Sequence, residues 1–356
     1  MKQDDLFARA DDDTLYAALL ARDPAWDGRA VVGVTSTGIF CRLTCPARKP
    51  KRENVRFYAD AGAARAAGFR PCLRCHPEAA LGPVEPLVAD LITRLEAEPD
   101  RRWSERDIAA LGLDPSTVRR AFRRRYGMTF VQMARERRLR RAASALAAGD
   151  AVIGAQLDAG YASASGFRDA YARMTGEAPV AARGRPVLPS RLIETPIGPM
   201  IAIVDEAALL LLEFLERPIL AAELKTLHRE TGRVAGEVPS PLLDRTARVL
   251  EDYFTGRDLA LDLPVHQGGS PFARRVRETL RSIPAGTTTT YGALADRLGR
   301  PTAARAVAQA NGANRIGVVV PCHRVIGADG SLTGYGGGLW RKRWLIAHEA
   351  QYGGPP

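Results

Sequence analysis

The chain has 356 residues, 46% of them hydrophobic, enough for roughly two to four domains with cores of their own. Lysine and arginine outnumber aspartate and glutamate 51 to 40, a formal charge of +11 and a pI near 9.8, which suits a polyanionic partner. No apolar run reaches about 18 residues, and the first stretch, MKQDDLFARADDDT, is acidic where an export signal would be basic and then apolar, so no membrane association and a cytoplasmic location are expected.

The first chemistry-bearing block holds four of the five cysteines, an odd total that argues against a disulfide framework. Cys41-x3-Cys45 in GIFCRLTCPARKP and Cys72-x2-Cys75 in GFRPCLRCHPE are spaced so that each pair grips one ion, and one tetrahedral zinc is the expected occupant. His76 competes as a ligand, but four cysteines already fill the shell. Two readings stay open. A closed zinc site is purely architectural. Alternatively, four thiolates on a divalent ion carry two net negative charges, and such electron-rich sulfurs can attack an alkyl group. That charge repels phosphodiesters but not a neutral phosphotriester, and losing one negative charge on alkylation eases DNA binding.

Two segments punctuate the chain, LGPVEPL (81–87) and AARGRPVLPSRL (181–192), where Pro186 and Pro189 interrupt any periodic pattern. Between them, residues 101–142 carry thirteen arginines against Glu105, Asp107, Asp114 and Glu136. A weak repeat recurs after 49 residues, IAALGLDPSTVRRAFRRRYGMT and AQLDAGYASASGFRDAYARMTG. The first copy predicts a helix ending near Gly112, then a second capped by Asp114 with Pro115 at its first position and Val118 and Phe122 on one face. In the second copy Ser163 takes the cap, Phe167 and Tyr171 the apolar positions, and Gly127 and Gly176 follow at matching places. This is the helix-turn-helix pattern, with Arg119, Arg120, Arg123 and Arg124 on or beside the first recognition helix, and it predicts double-stranded DNA as a partner.

In the last block, residues 192–214 read as two apolar strands around DEA, and LDLPVHQGGSPF (261–272) reads as an internal joint. His228 and His266 have no partners in sequence and read as structural or exposed, while Trp340 and Trp344, four apart, pack the last helix. The stretch IGVVVPCHRVIGADG leaves Cys322 either a nucleophile or a small buried hydrophobe.

Taken together, these motifs resemble the Ada family of DNA alkyl acceptors and transcriptional activators over nearly the whole chain. The resemblance implies a multidomain α+β protein. Its parts are a zinc-binding α/β domain (1–82), an all-α double helix-turn-helix domain of the AraC type (85–182), and an O6-alkylguanine-DNA alkyltransferase. The last divides into a small ribonuclease H-like α/β subdomain (190–264) and a winged-helix-like subdomain (268–352). By the same resemblance Cys41 accepts a methyl group from a backbone methylphosphotriester, and Cys45, Cys72 and Cys75 are the remaining zinc ligands. Cys322 in PCHRV becomes the second acceptor, a single-use methyltransferase nucleophile. Tyr291 and Arg305 help rotate the lesion out and fill the vacated stack, Asn314 is the hinge asparagine, and Glu349 stands behind His323. Tyr335 and Gly336 fall in the substrate-pocket loop, and Ser163, Ser165 and Arg168 join the arginines as DNA contacts; RNA polymerase is an expected partner and a monomer the expected state.

Neighbouring side chains in an extended segment point to opposite faces, so a water is expected to bridge Cys322 and His323, with Glu349 orienting the histidine and so lowering the cost of the thiolate. Three positions depart from the family pattern. Leu43 replaces the usual proline and loosens the turn after Cys41, Phe130 stands where AraC-type modules often carry proline, and GYGGGLW adds glycine around the pocket loop. The competing reading is a zinc-containing AraC-type transcription factor whose last domain lacks transfer activity. A hydrolase using Cys322 and His323 leaves Tyr291, Arg305 and Asn314 without a role.

Overall fold

The computed structural model describes residues 11–23, 26, 30–58, 61–75, 77, 86–217, 219–266 and 268–353. His76, residues 81–85 of the first punctuating segment and the Arg124 side chain lie outside the described residues. The chain forms two compact units, one of Met1–Gly82 with Ser270–Ala313 and Pro321–Pro356, the other of Pro83–Gly269 with Asn314–Val320.

In the N-terminal part of the first unit, α1 (Asp12–Ala21) starts where the Asp11 carboxylate accepts from the backbone N–H groups of Asp13 and Thr14. The hairpin β1 (Val31–Val34) and β2 (Ile39–Arg42), β3 (Val55–Tyr58), α2 (Ala61–Ala66) and β4 (Arg70–Pro71) follow. The sheet runs β3-β1-β2-β4, with β4 parallel to β2 and the other pairs antiparallel. Val55 and Phe57 of β3 face inward while Arg56 faces out, the period of two expected of a strand with one buried face. They pack with Leu15, Leu19, Val32 and Leu43 into a core that takes in Cys41, Cys45 and Cys72. On β1 only glycine fits at position 33, because a Cβ there would meet the rings of Tyr58 and Phe69 at 2.9 Å.

The second unit begins with α3 (Pro86–Ala97), α4 (Glu105–Ala110), α5 (Pro115–Tyr126), α6 (Phe130–Ala147), α7 (Val152–Asp158), α8 (Ala164–Thr175) and α9 (Pro179–Ala182). The repeat seen in the sequence is two helix pairs, α4 with α5 and α7 with α8. Asp114 caps α5 through the N–H of Thr117 at 2.7 Å, and Ser163 caps α8 through that of Gly166 at 3.1 Å. Helix α6 joins them, burying Phe130 and Met133 with Val118, Phe122 and Tyr126, and Leu139, Ala143 and Leu146 with Phe167 and Tyr171. Phe130 is thus the first residue of a helix capped by Thr129 and a fully packed core residue.

The same unit continues through β5 (Leu188–Ile193), β6 (Met200–Val204), β7 (Leu209–Phe214), α10 (Leu220–Thr231), β8 (Ala235–Gly236) and α11 (Pro241–Thr255), with sheet order β7-β6-β5-β8. β6 and β7 are the two expected strands, turning at Asp205–Ala208, where the Asp205 carboxylate accepts from Ala207 and Ala208. The second proline-bearing segment is not wholly a joint. Its later half is β5, which tolerates Pro189 near its start and pairs on both sides. Residues 314–320 are fastened to β7: Leu212 donates to the carbonyl of Arg315 and accepts from the N–H of Gly317.

The C-terminal part of the first unit comprises α12 (Pro271–Arg281), β9 (Thr289–Thr290), α13 (Tyr291–Arg297), α14 (Ala304–Gly312), β10 (Val325–Ile326) and α15 (Leu339–Tyr352), with β9 and β10 parallel. Trp340 and Trp344 lie half-buried on α15, where the Trp344 ring stacks on His348 at 4.7 Å. No helix among the described residues is long and apolar enough to cross a membrane.

Candidate functional site

The four sulfurs come from two turns flanking neighbouring strands. Cys41 lies on β2 opposite Val32, one residue before its end, Cys45 follows a turn closed by its N–H on the Arg42 carbonyl, and Cys72 and Cys75 follow β4, which lies beside β2. Their Sγ atoms all lie within 4.8 Å of one another. Tetrahedral zinc at 2.3 Å from each sulfur needs a separation of about 3.8 Å, so the set fits one such ion with little adjustment. The electrostatics point the same way. A hydrogen bond with Cys41 holds the Cys75 thiol down at about 5, while that bond and burial push Cys41 far above the ordinary thiol range, and burial raises Cys45 to about 11. Without a cation the cluster therefore supports few thiolates; four need a divalent charge among them. Leu43 is fully buried, and its carbonyl accepts from the Lys49 ammonium, so packing restrains the turn that lacks proline.

Around Cys322 the backbone differs from expectation. Residues 322–324 form one turn of 3-10 helix after Pro321 rather than an extended segment, so the opposite-face argument for Cys322 and His323 does not apply. Another turn lies just upstream in the sequence. Asn314 donates to the carbonyls of Ile316 at 3.3 Å and Val320 at 2.9 Å and accepts from the N–H of Ile316, pinning a turn in which buried Val318 sits at a φ of +67°. The apolar run is thus a stapled turn, with Ile316 alone bridged to β7 at Leu212.

His323 and Glu349 do meet, with Nε2 at 2.8 Å from Oε1, both side chains buried. A carboxylate only accepts, so the histidine proton sits on Nε2 and Nδ1 is a bare acceptor. That Nδ1 is buried and has no partner among the described residues. Arg324, which the sequence reading passed over, donates to the same carboxylate twice at 2.9 Å, and its third nitrogen donates to the Ile283 carbonyl. Burial opposes charge on Glu349, but His323 and Arg324 outweigh it and hold the carboxyl far below its usual range. Burial also pushes His323 down, against the pull of Glu349, so the ring is neutral.

Lys342 was also missed, hidden among the basic residues of LWRKRW. It is fully buried, and Nζ donates to the carbonyls of Val325 and Thr333. Burial lowers it to about 8, with charge on Cys322 pulling the other way. Tyr291 opens α13 with its hydroxyl 3.5 Å from the Thr333 carbonyl; burial and then charge on Cys322 raise its pKa. The Tyr335 ring stands edge-on to His323 at 6.5 Å beside exposed Gly336, and Arg305 is exposed on α14. Asn311, also on α14, donates to the Cys322 carbonyl at 3.4 Å.

On the helix pairs, Arg120 and Arg123 are exposed on α5, while Arg119 is ion-paired with Glu105 of α4. Arg125 and the Tyr126 hydroxyl of the same helix both bind Glu194, the hydroxyl at 2.7 Å. Ser165 and Arg168 are exposed on α8, and Ser163 commits its hydroxyl to the cap.

Three known families match segments of the chain: the metal binding domain of Ada over residues 14–78, a helix-turn-helix domain over 108–185, and the DNA binding domain of 6-O-methylguanine DNA methyltransferase over 271–351. The bifunctional transcriptional activator/DNA repair enzyme Ada of Escherichia coli K12 is 36% identical over 96% of this chain and 97% of its own. The methylated-DNA–protein-cysteine methyltransferase of Shigella flexneri is 48% identical over 44% of this chain and 92% of its own. A crystal structure of the Mycobacterium tuberculosis O6-methylguanine methyltransferase, 38% identical, covers 48% of this chain and 96% of that one, with a TM-score of 0.41. With four clustered thiols, paired helix-turn-helix units and a Cys-His-Arg turn on a buried glutamate in one sequence matched end to end, the chain belongs to the Ada family of bifunctional transcriptional activators and DNA repair enzymes.

Proposed function

We propose that this protein repairs alkylated DNA by moving methyl groups irreversibly onto two of its own cysteines, Cys322 from O6-alkylguanine and Cys41 from backbone methylphosphotriesters, and that methylation of Cys41 switches on transcription. The observation that carries the first half is the buried His323–Glu349–Arg324 arrangement, which leaves an unprotonated Nδ1 on the residue next to Cys322. A water in reach of that nitrogen relays the thiol proton to Nδ1. The thiolate attacks the methyl carbon, S–C bond formation accompanies C–O6 cleavage, and the electron pair goes to guanine, which regains its neutral form with the proton the thiol gave up. The thioether is not reversed by water, so each molecule reacts once.

At the N-terminal site Cys41, Cys45, Cys72 and Cys75 hold zinc, whose charge keeps the sulfurs deprotonated. Cys41 takes the methyl carbon, and the released electron pair restores a phosphodiester anion. The site then carries one negative charge fewer, which eases its approach to DNA. We assign the four segments 1–82, 85–182, 190–264 and 268–352 as the working domains, the third ribonuclease H-like and the fourth winged-helix-like. Base rotation is assigned to Tyr291 and Arg305, the hinge to Asn314, and the pocket loop to Tyr335 and Gly336. Exposed Arg120, Arg123, Ser165 and Arg168 serve promoter binding together with Arg119, Arg124 and Ser163. The protein acts in the cytoplasm as a monomer that contacts RNA polymerase.

The test is to react purified protein with duplexes carrying O6-methylguanine or a methylphosphotriester and to locate the methyl groups by peptide mass spectrometry. Methyl on Cys322 from the base and on Cys41 from the backbone is expected. An unmodified Cys322 with intact DNA binding would leave only a zinc-containing regulator.

A further inference from the structure

Asn311 is 2% exposed on α14, with its amide nitrogen on the Cys322 carbonyl. Its amide oxygen is buried and has no partner among the described residues. Turning the amide over would set that oxygen against the Cys322 carbonyl, two acceptors face to face, so the orientation is fixed. A buried amide oxygen without a donor is costly, and its presence beside a reactive cysteine asks which donor arrives there.

Taking Cys322 as the acceptor of the base methyl group, the chemistry of the lesion answers. Alkylation at O6 removes the hydrogen from guanine N1, and N3 and N7 carry none, so the 2-amino group is the only N–H donor the base offers. Cys322 is itself 7% exposed and its carbonyl is held by the Asn311 amide, so a base that reaches the sulfur arrives close to that amide. We propose that Asn311 is a specificity-determining residue whose Oδ1 accepts a hydrogen bond from the 2-amino group of the rotated O6-alkylguanine while Nδ2 steadies the Cys322 carbonyl. O4-alkylthymine has no such amino group, so Asn311 favours guanine lesions over thymine lesions. The proposal rests on the reading of Cys322 as acceptor.

The test uses single-turnover methyl transfer to Cys322 from duplexes carrying O6-methylguanine or O6-methylhypoxanthine, which differ only in the 2-amino group. The wild-type protein prefers guanine, and Asn311→Ala shrinks that preference by roughly two- to tenfold, the effect of one neutral hydrogen bond. Asn311→Asp keeps an acceptor oxygen and so keeps the preference, even where both rates fall. Equal slowing of both substrates in Asn311→Ala, as a purely structural amide would give, overturns the proposal, as does loss of the preference in Asn311→Asp. If no substrate labels Cys322 in the wild type, the acceptor reading itself fails, an outcome distinct from a labelled Cys322 with unchanged preference.

Discussion

Glu349→Gln is the most direct probe of the transfer site. The carboxylate is 1% exposed and accepts from His323 at 2.8 Å and twice from Arg324 at 2.9 Å. Glutamine keeps one acceptor oxygen, loses the charge and points an NH2 at a group that also donates. If the oxygen stays with His323, the Arg324 guanidinium is left buried without a counter-ion; if it turns to Arg324, the NH2 donates to Nε2, the histidine proton moves to Nδ1, and the bare acceptor on Nδ1 is lost. The first loss is worth about 3–5 kcal/mol of stability and the second about 10²- to 10⁴-fold in rate. Single-turnover transfer from an O6-methylguanine duplex reads the rate, and denaturant unfolding reads the stability. The pH dependence adds a signature. Glu349 lies below its ordinary value of 4.5 in the folded protein, and a depressed acid contributes stability that is full above the unfolded value and lost as pH falls through the folded one. The gap between wild type and variant is therefore complete at neutral pH and narrows only below about pH 4.5. A variant within about 1 kcal/mol and threefold of wild type would refute the reasoning.

Three further substitutions test separate parts of the structure. At Val318, φ of +67° costs an L-residue about 1–2 kcal/mol, so Val318→Gly unfolds at higher denaturant than Val318→Ala, reversing the usual order of alanine over glycine; the normal order would show the turn to be unstrained. Lys342→Met leaves the Val325 and Thr333 carbonyls without their buried donor and costs about 1–3 kcal/mol in urea unfolding, whereas unchanged stability would mean that desolvating the ammonium cancels its hydrogen bonds. Cys72→Ser removes one of four sulfurs, so bound zinc by elemental analysis falls well below one per chain and methylphosphotriester transfer to Cys41 stops; a full zinc complement with normal transfer contradicts the four-thiolate site.

The zinc cysteines and the paired helices were legible in the sequence because both depend on short-range spacing. Two residues three or four apart reach one ion wherever the turns lie, and Asp114 and Ser163 cap helices with their own neighbours. Charges that pair across the fold were not legible. Nothing in the sequence pairs Arg119 with Glu105, and nothing in LWRKRW separates buried Lys342 from the cations around it, because its two carbonyl partners lie 17 and 9 residues away. Asn311 stayed hidden for the same reason, since its meaning lies in an atom left unpaired rather than in a motif.

The Cys-His pair rests on a geometry other than the extended one expected. The extended-strand argument kept cysteine and histidine apart by alternation, but residues 322–324 form a 3-10 turn with about three residues per turn, which fans consecutive side chains roughly 120° apart. His323 and Arg324 are long enough to converge on Glu349 from their two directions. The commitment of His323 Nε2 to the glutamate therefore needs no extended backbone. It follows that the residue after the histidine matters as much as the glutamate. Arg324 supplies the charge that keeps Glu349 ionised in a buried setting, and an ionised Glu349 is what forces the proton onto Nε2 and leaves Nδ1 a bare acceptor.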